Sequence, residues 1–185
     1  MRKCFLIAVL FTVFSATVAQ PLYVARDGNI QFFSATPIED IKAVNKKVYS
    51  SLNTQDGVLQ FLVLIDQFQF KRAAMQRHFN DEDYMHSEKY PRSEFKGTIT
   101  NLSEIDFSKN GTYTANVEGQ LSMHGVIRQV KMNASLIVNN GKITGTAKFP
   151  IRLEDYNVKV PKIVIKKIAE IVEVTVNCLY QPYKK

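Results

Sequence analysis

The sequence predicts a mainly β fold, an antiparallel barrel of about eight strands with one or two short helices. Three observations carry this reading. Apolar and polar residues alternate with period two through most of the second half of the chain. Asn-Gly and His-Gly pairs interrupt the alternating segments where tight hairpin turns would join them. No repeated succession of strand and long helix occurs, which disfavours a parallel sheet.

Taken in chain order, "NIQFFS", "IKAVNKKVYSSL" and "VLQFLVLID" read as strands. The last is apolar on both faces and is expected to be covered on both. "FKRAAMQRHF" places Phe70, Ala74, Met75, His78 and Phe79 at helical spacing, with His78 expected on the underside of a short helix. In "TYTANVEGQL" the inward set is Tyr113, Ala115, Val117, Gly119 and Leu121, and in "VKMNASLIV" it is Val130, Met132, Ala134, Leu136 and Val138. "NNGK" turns the chain, and "ITGTAKFPI" alternates again with Ile143, Gly145, Ala147, Phe149 and Ile151 on one side. "VPKIVIKKIAE" has Pro161 at a first-turn position but is rich in β-branched residues, so it reads as a short helix or an ordered loop. The last strand, "EIVEVTVNCLY", puts Val172, Val174, Val176, Cys178 and Tyr180 on one face.

The inward positions mix small residues (Ala115, Gly119, Ala134, Gly145, Ala147) with large ones. Such mixing fits the taper of a filled barrel or the lining of an apolar cavity, because an eight-stranded barrel is just wide enough for one ligand. Parity assigns the lining to Phe61, Val63, Phe95, Val117, Met132, Leu136, Phe149, Val174 and Val176, with Met75 and His78 contributed by the helix.

Residues 1–19 read as a secretory signal: Arg2 and Lys3, an apolar run from Phe5 to Phe14, then small residues up to Ala19, after which cleavage is expected. The run is shorter than the roughly 20 residues that span a bilayer. Cys4 precedes it, so it is not placed as a lipid-anchor cysteine. Residues 20–185 then form a single domain, with a periplasmic or secreted location. Cys178 is left as the only cysteine of that domain, so its fold rests on the core without an internal disulfide. Without Arg2 and Lys3 the chain carries 22 basic and 17 acidic residues. This excess suits transient contact with an anionic membrane surface, while its dispersal argues against nucleic acid as a partner.

Catalytic chemistry is sparse. His78 and His86 lie eight apart across a polar turn rather than at the i, i+4 spacing that puts two zinc ligands on one helical face, so no metal site is assigned. "NDEDY" lacks the spaced ligands and central glycine of a calcium loop. Ser122 and His124 are two apart on a strand, about 6–7 Å between side chains, too far for a nucleophile and its base. His124 with Gly125 reads as a hairpin turn. The sequence contains no phosphate-binding glycine loop and no nucleophile elbow.

The segments "FKRAAMQRHFNDEDYMHSEKYPRSEFKG", "VEGQLSMHGVIRQVKM" and "KFPIRLEDYNVKVPKIVIKKIAEIVEVTVN" resemble the YceI-like, polyisoprenoid-binding family, in that family's order. The resemblance spans about Phe70 to Val176. It departs in a short N-terminal part and in Asn157, which stands where glycine is usual; asparagine tolerates the left-handed backbone such a turn needs. The resemblance implies an extended lipocalin-like barrel, typically bacterial and periplasmic, that holds an isoprenoid or other amphiphilic chain in an apolar pore. No resident cofactor is implied, a bound isoprenoid or fatty-acyl ligand is, and a homodimer is compatible with it. Two alternatives remain open at this level. One is a structural or interaction barrel with a filled core; the other is an enzyme, which stoichiometric metal on His78, His86 and a carboxylate would favour.

Overall fold

The computed structural model describes residues 21–35, 40–159 and 169–184. The described strands are β1 (Leu22–Ser34), β2 (Ile41–Asn53), β3 (Val58–Leu64), β4 (Gln69–Phe70), β5 (Arg92–Ile99), β6 (Gly111–Met123), β7 (Val126–Asn139), β8 (Lys142–Arg152) and β9 (Ile171–Pro182). Helix α1 (Ala73–Asn80) follows β4. Every pairing is antiparallel, and because β1 bonds to both β2 and β9 the sheet closes on itself. The ring contains eight strands; β4 pairs only with Ala43 and Val44 of β2 and lies outside it. The expected mainly β barrel is therefore present, with one α-helix among the described residues. The second helical candidate falls largely within residues 160–168, outside the described residues, and so do residues 1–19, the stretch expected to be an export signal.

Parity along the strands matches the alternation of the sequence. All five expected inward residues of β9 are buried, as are Ala115, Val117, Leu136, Val138 and Ile143. The turns follow from residues that accept positive φ: His124 and Gly125 (50° and 76°) join β6 to β7, and Asn140 and Gly141 (49° and 73°) join β7 to β8. Asn157 adopts the left-handed conformation expected of it, with φ 55°. The double coverage expected for "VLQFLVLID" is not found. Leu64 is exposed on the outside of β3, because α1 docks through Phe79 on the ring cluster of Phe32, Phe68 and Phe70 instead.

The two ends of the barrel differ. At one, the β5–β6 connection turns inward, and Leu102, Ile105 and Phe107 pack with Tyr23, Leu52, Val138 and Ile143 as a plug. At the other lie the longer connections, including α1 and the turns around it, over a less filled interior. Within the wall, two glycines face each other in register, Gly97 on β5 and Gly119 on β6. The ring of Phe95 lies across both: a Cβ on Gly119 would sit 2.8 Å from Phe95 Cζ and 2.4 Å from the Gly97 Cα.

Gly119→Ala is therefore expected to lower stability by about 1–3 kcal/mol through overpacking, measured by urea unfolding. An unchanged midpoint would show that Phe95 and the Gly97 backbone can move aside freely.

Candidate functional site

The open half of the barrel encloses a cavity of about 460 Å³, within the range of small-molecule sites. Each strand of the ring contributes to its lining. Phe61 and Val63 come from β3, Phe95 from β5, Val117 from β6, Met132 and Leu136 from β7, Phe149 from β8, and Val174 and Val176 from β9. Met75 and His78 reach it from α1. The structure thus brings all eleven sequence-assigned residues around one space. His78 is not on the underside of the helix: its side chain is 69% exposed, at the outer lip, with Nδ1 3.6 Å from Asp81. Its neighbour Phe79 takes the inward position, with ring centroids 5.6, 5.6 and 5.1 Å from Phe32, Phe68 and Phe70.

Several lining residues were not assigned from sequence, among them Ile30, Phe32, Phe68, Phe70, Phe79 and Leu121. Phe79 stands four residues after Met75, so helical spacing alone marked it. The small residues divide into two uses. Ala115, Ala134 and Ala147 border the cavity, whereas Gly119 does not, because Phe95 fills the space over it. Gly145 borders the cavity but also seats the Tyr180 ring, which would be 3.1 Å from an added Cβ.

Three buried polar groups of the lining are engaged by the protein. Ser34 Oγ accepts the Ala169 N–H at 2.9 Å, Ser93 Oγ donates to the Ser122 carbonyl at 2.8 Å, and the Tyr180 hydroxyl lies 2.8 Å from Ser50 Oγ. Ser50 Oγ also donates to the Gln60 carbonyl. Burial pushes the Tyr180 phenol far up from its ordinary value and the Cys178 thiol up to about 11. Neither is a nucleophile near neutral pH, since attack needs the thiolate or phenolate. His124 is held in its turn by Nδ1, 3.0 Å from the Tyr156 carbonyl, and by the Tyr90 ring, 4.5 Å away between centroids. Among the described residues, no group of three or more His, Cys, Asp or Glu is placed to hold a metal ion.

The inward apolar set also sets this barrel apart from one that spans a membrane, which carries its apolar band outward. Here the outer surface of β6 to β9 bears ion pairs such as Lys131 with Glu118 and Lys148 with Glu173.

A YceI-like domain model matches residues 22–179. The chain belongs to the YceI-like domain family. The match begins at the first strand, well before the point at which the sequence resemblance was clear. No curated protein matches the chain. Among solved structures, a polyisoprenoid binding domain from Saccharophagus degradans implicated in plant cell wall breakdown is similar at a TM-score of 0.75 and 12% identity, covering 89% of this chain and 99% of the other. Burkholderia cenocepacia BcnA is similar at 0.65 and 16%, covering 83% and 95%. A Campylobacter jejuni YCEI protein is similar at 0.57 and 14% over the whole of both chains. At these identities the likeness establishes the shared fold of this YceI-like barrel.

Two outcomes are expected. Phe79→Ala removes the ring that anchors α1, so amide exchange across residues 73–80 should accelerate at least about tenfold while the strands keep their protection; unchanged exchange would mean the helix is held elsewhere. Stability should also fall in alkali. The unfolded chain releases the thiol and phenol protons from about pH 9 and 10 upward, while the folded chain keeps them. Stability present below pH 9 is thus lost as pH rises through that window. Urea titrations should show a shallower alkaline loss for Tyr180→Phe, and an identical slope would remove Tyr180 from the account.

Proposed function

We propose that this YceI-like chain is an exported binding protein, periplasmic or secreted, that holds an isoprenoid or another long-chain amphiphilic lipid inside the barrel as carrier or store. It acts by binding and not by catalysis. The observation that carries the reading is the cavity, whose wall is almost wholly apolar and whose inner polar groups Ser34, Ser93 and Tyr180 are hydrogen-bonded to the protein. Such a space rewards a hydrocarbon chain and offers a headgroup little; the exposed His78 and the half-buried Tyr84 at its rim are where polarity resumes. The printed description of the Saccharophagus degradans domain as polyisoprenoid binding supports the same ligand class. The family resemblance supports the exported location, and the basic excess supports brief contact with anionic membrane surfaces. The alternative of a filled interaction barrel fits the plugged end, where Ile105 and its neighbours pack, but not the open half.

Native mass spectrometry of protein exported in its own host, followed by organic extraction, should release a stoichiometric isoprenoid or acyl lipid. Ala147→Phe, which fills the lumen with another apolar group, should cut retention at least about tenfold while the barrel stays folded, and Leu136→Asp should abolish it. A clean apo mass before and after incubation with membranes would favour the filled interaction barrel.

A further inference from the structure

Pairing around the ring is interrupted in several places, among them β1 against β9 between Val24 and Asn29 and β2 against β3 before Tyr49; one interruption opens onto a cavity. β7 pairs with β6 along its whole length, from Val126 opposite Met123 to Val138 opposite Gly111. β8 likewise pairs with β9 from Ile143 to Arg152. Between themselves, however, β7 and β8 pair only from Ala134 opposite Ala147 to Asn139 opposite Lys142. Residues 126–133 and 148–152 therefore face each other as two open strand edges. A barrel normally abolishes such edges, because unpaired backbone groups and a template for aggregation both carry a cost. Pro150, which has no N–H to donate, stands on one of these edges.

The edges diverge around a second cavity of about 320 Å³. Met132, Phe149 and Ile151 line both this space and the main cavity, so the two meet at an apolar sill. The sill is only half-buried, whereas Leu136 and Val138 farther along β7 are buried. Outside the sill the lip is charged, with Arg128, Lys131 and Arg152 against one lining carboxylate, Asp155. These cations are lightly committed. Arg128 Nε donates to the Asp155 carbonyl at 3.0 Å, Lys131 meets Glu118 at 2.9 Å, and Arg152 lies 3.8 Å from Glu154, all at exposed positions.

We propose that the gap between β7 and β8 is a lateral portal in the barrel wall, through which an amphiphile's chain slides into the cavity while its anionic headgroup rests on the lip of Arg128, Lys131 and Arg152. The proposal rests on the lipid-binding reading above and adds the route and the headgroup charge. A slit lets a long chain enter sideways, so the charged end never crosses the apolar interior, where an unpaired charge is expensive. Phosphate and carboxylate heads share the chemistry the lip would recognise.

The test uses the full chain with a fluorescent long-chain fatty acid and its uncharged methyl ester, transferred from phosphatidylcholine vesicles. In Gln129→Cys/Pro150→Cys carrying Cys4→Ser, bridging the two thiols with a short bismaleimide closes the slit; Cys178 is buried and does not compete. Bridging should slow transfer of both probes at least about tenfold relative to the same variant unbridged, with equilibrium affinity within about twofold; equal rates would overturn the portal. Arg128→Gln/Arg152→Gln, at exposed positions, should weaken the fatty acid about tenfold or more and leave the ester unchanged. Equal effects on both probes, or none, would overturn the headgroup seat. Millimolar inorganic phosphate should fail to displace the fatty acid; displacement by phosphate alone would make the lip a site for free anions and overturn its role for lipid. If the unaltered protein binds neither probe, the lipid-binding reading falls and the portal with it. If it binds both and no variant changes anything, the portal alone falls.

Discussion

Closure of the sheet by β1 is the constraint on which the rest of the barrel depends. One strand must bond to β2 and β9 at once, and it does so through register shifts on both sides of Gly28 toward β2 and between Val24 and Asn29 toward β9. At Gly28 the three strands crowd together: a Cβ there would lie 2.7 Å from Cys178 Sγ and 3.1 Å from the Val48 carbonyl. On the inner side of the same junction, Ser50 of β2 reaches the Tyr180 hydroxyl of β9. Asn45, fully buried on β2, ties its amide to the Leu64 carbonyl and its carbonyl to the Lys47 N–H. The buried polar side chains of the strands, Ser34, Asn45, Ser50 and Ser93, thus each have a partner on another segment, and the polar content of the wall strengthens closure instead of opposing it.

Closing eight strands leaves an interior that side chains can just fill, so the cavity is a matter of where bulk is placed. At one end Leu102, Ile105 and Phe107 arrive from a connection and join the core cluster. In the open half, rings lie flat along the wall instead of pointing across it. Phe95 rests over Gly97 and Gly119, and Tyr180 rests over Gly145. Large residues therefore line the lumen without blocking it, which is how a wall rich in Phe and Leu still bounds 460 Å³.

Much of this was legible in the sequence because a strand's side chains alternate strictly. Once Val117, Met132 or Val174 is placed on a strand, its face follows, and Asn140-Gly141 and His124-Gly125 set the register of two hairpins through their positive φ. What was not legible depends on the third dimension. Parity puts Gly119 inward but cannot tell that Phe95 covers it. Helical spacing offers both His78 and Phe79, and only the Phe32, Phe68 and Phe70 cluster decides that Phe79 turns in. β4 is too short to alternate, and the separation of β7 from β8 breaks a pairing without changing the pattern of either strand.

For a lipid-binding barrel, apolar burial alone explains little about direction. Each methylene removed from water contributes about 0.8 kcal/mol, so fifteen to twenty carbons represent on the order of 12–16 kcal/mol. A bilayer offers nearly the same apolar surroundings, and most of that gain cancels on exchange between the two. What then distinguishes one barrel from another is the path and the polar end of the ligand. The β5–β6 connection packs at one end, a small helix docked through Phe79 lies at the other, and the proposed portal between β7 and β8 would give a chain a way in that leaves a charge in water. If the proposed portal holds, the pairing that β7 and β8 forgo beyond Ala134 and Ala147 is the stability given up for that route.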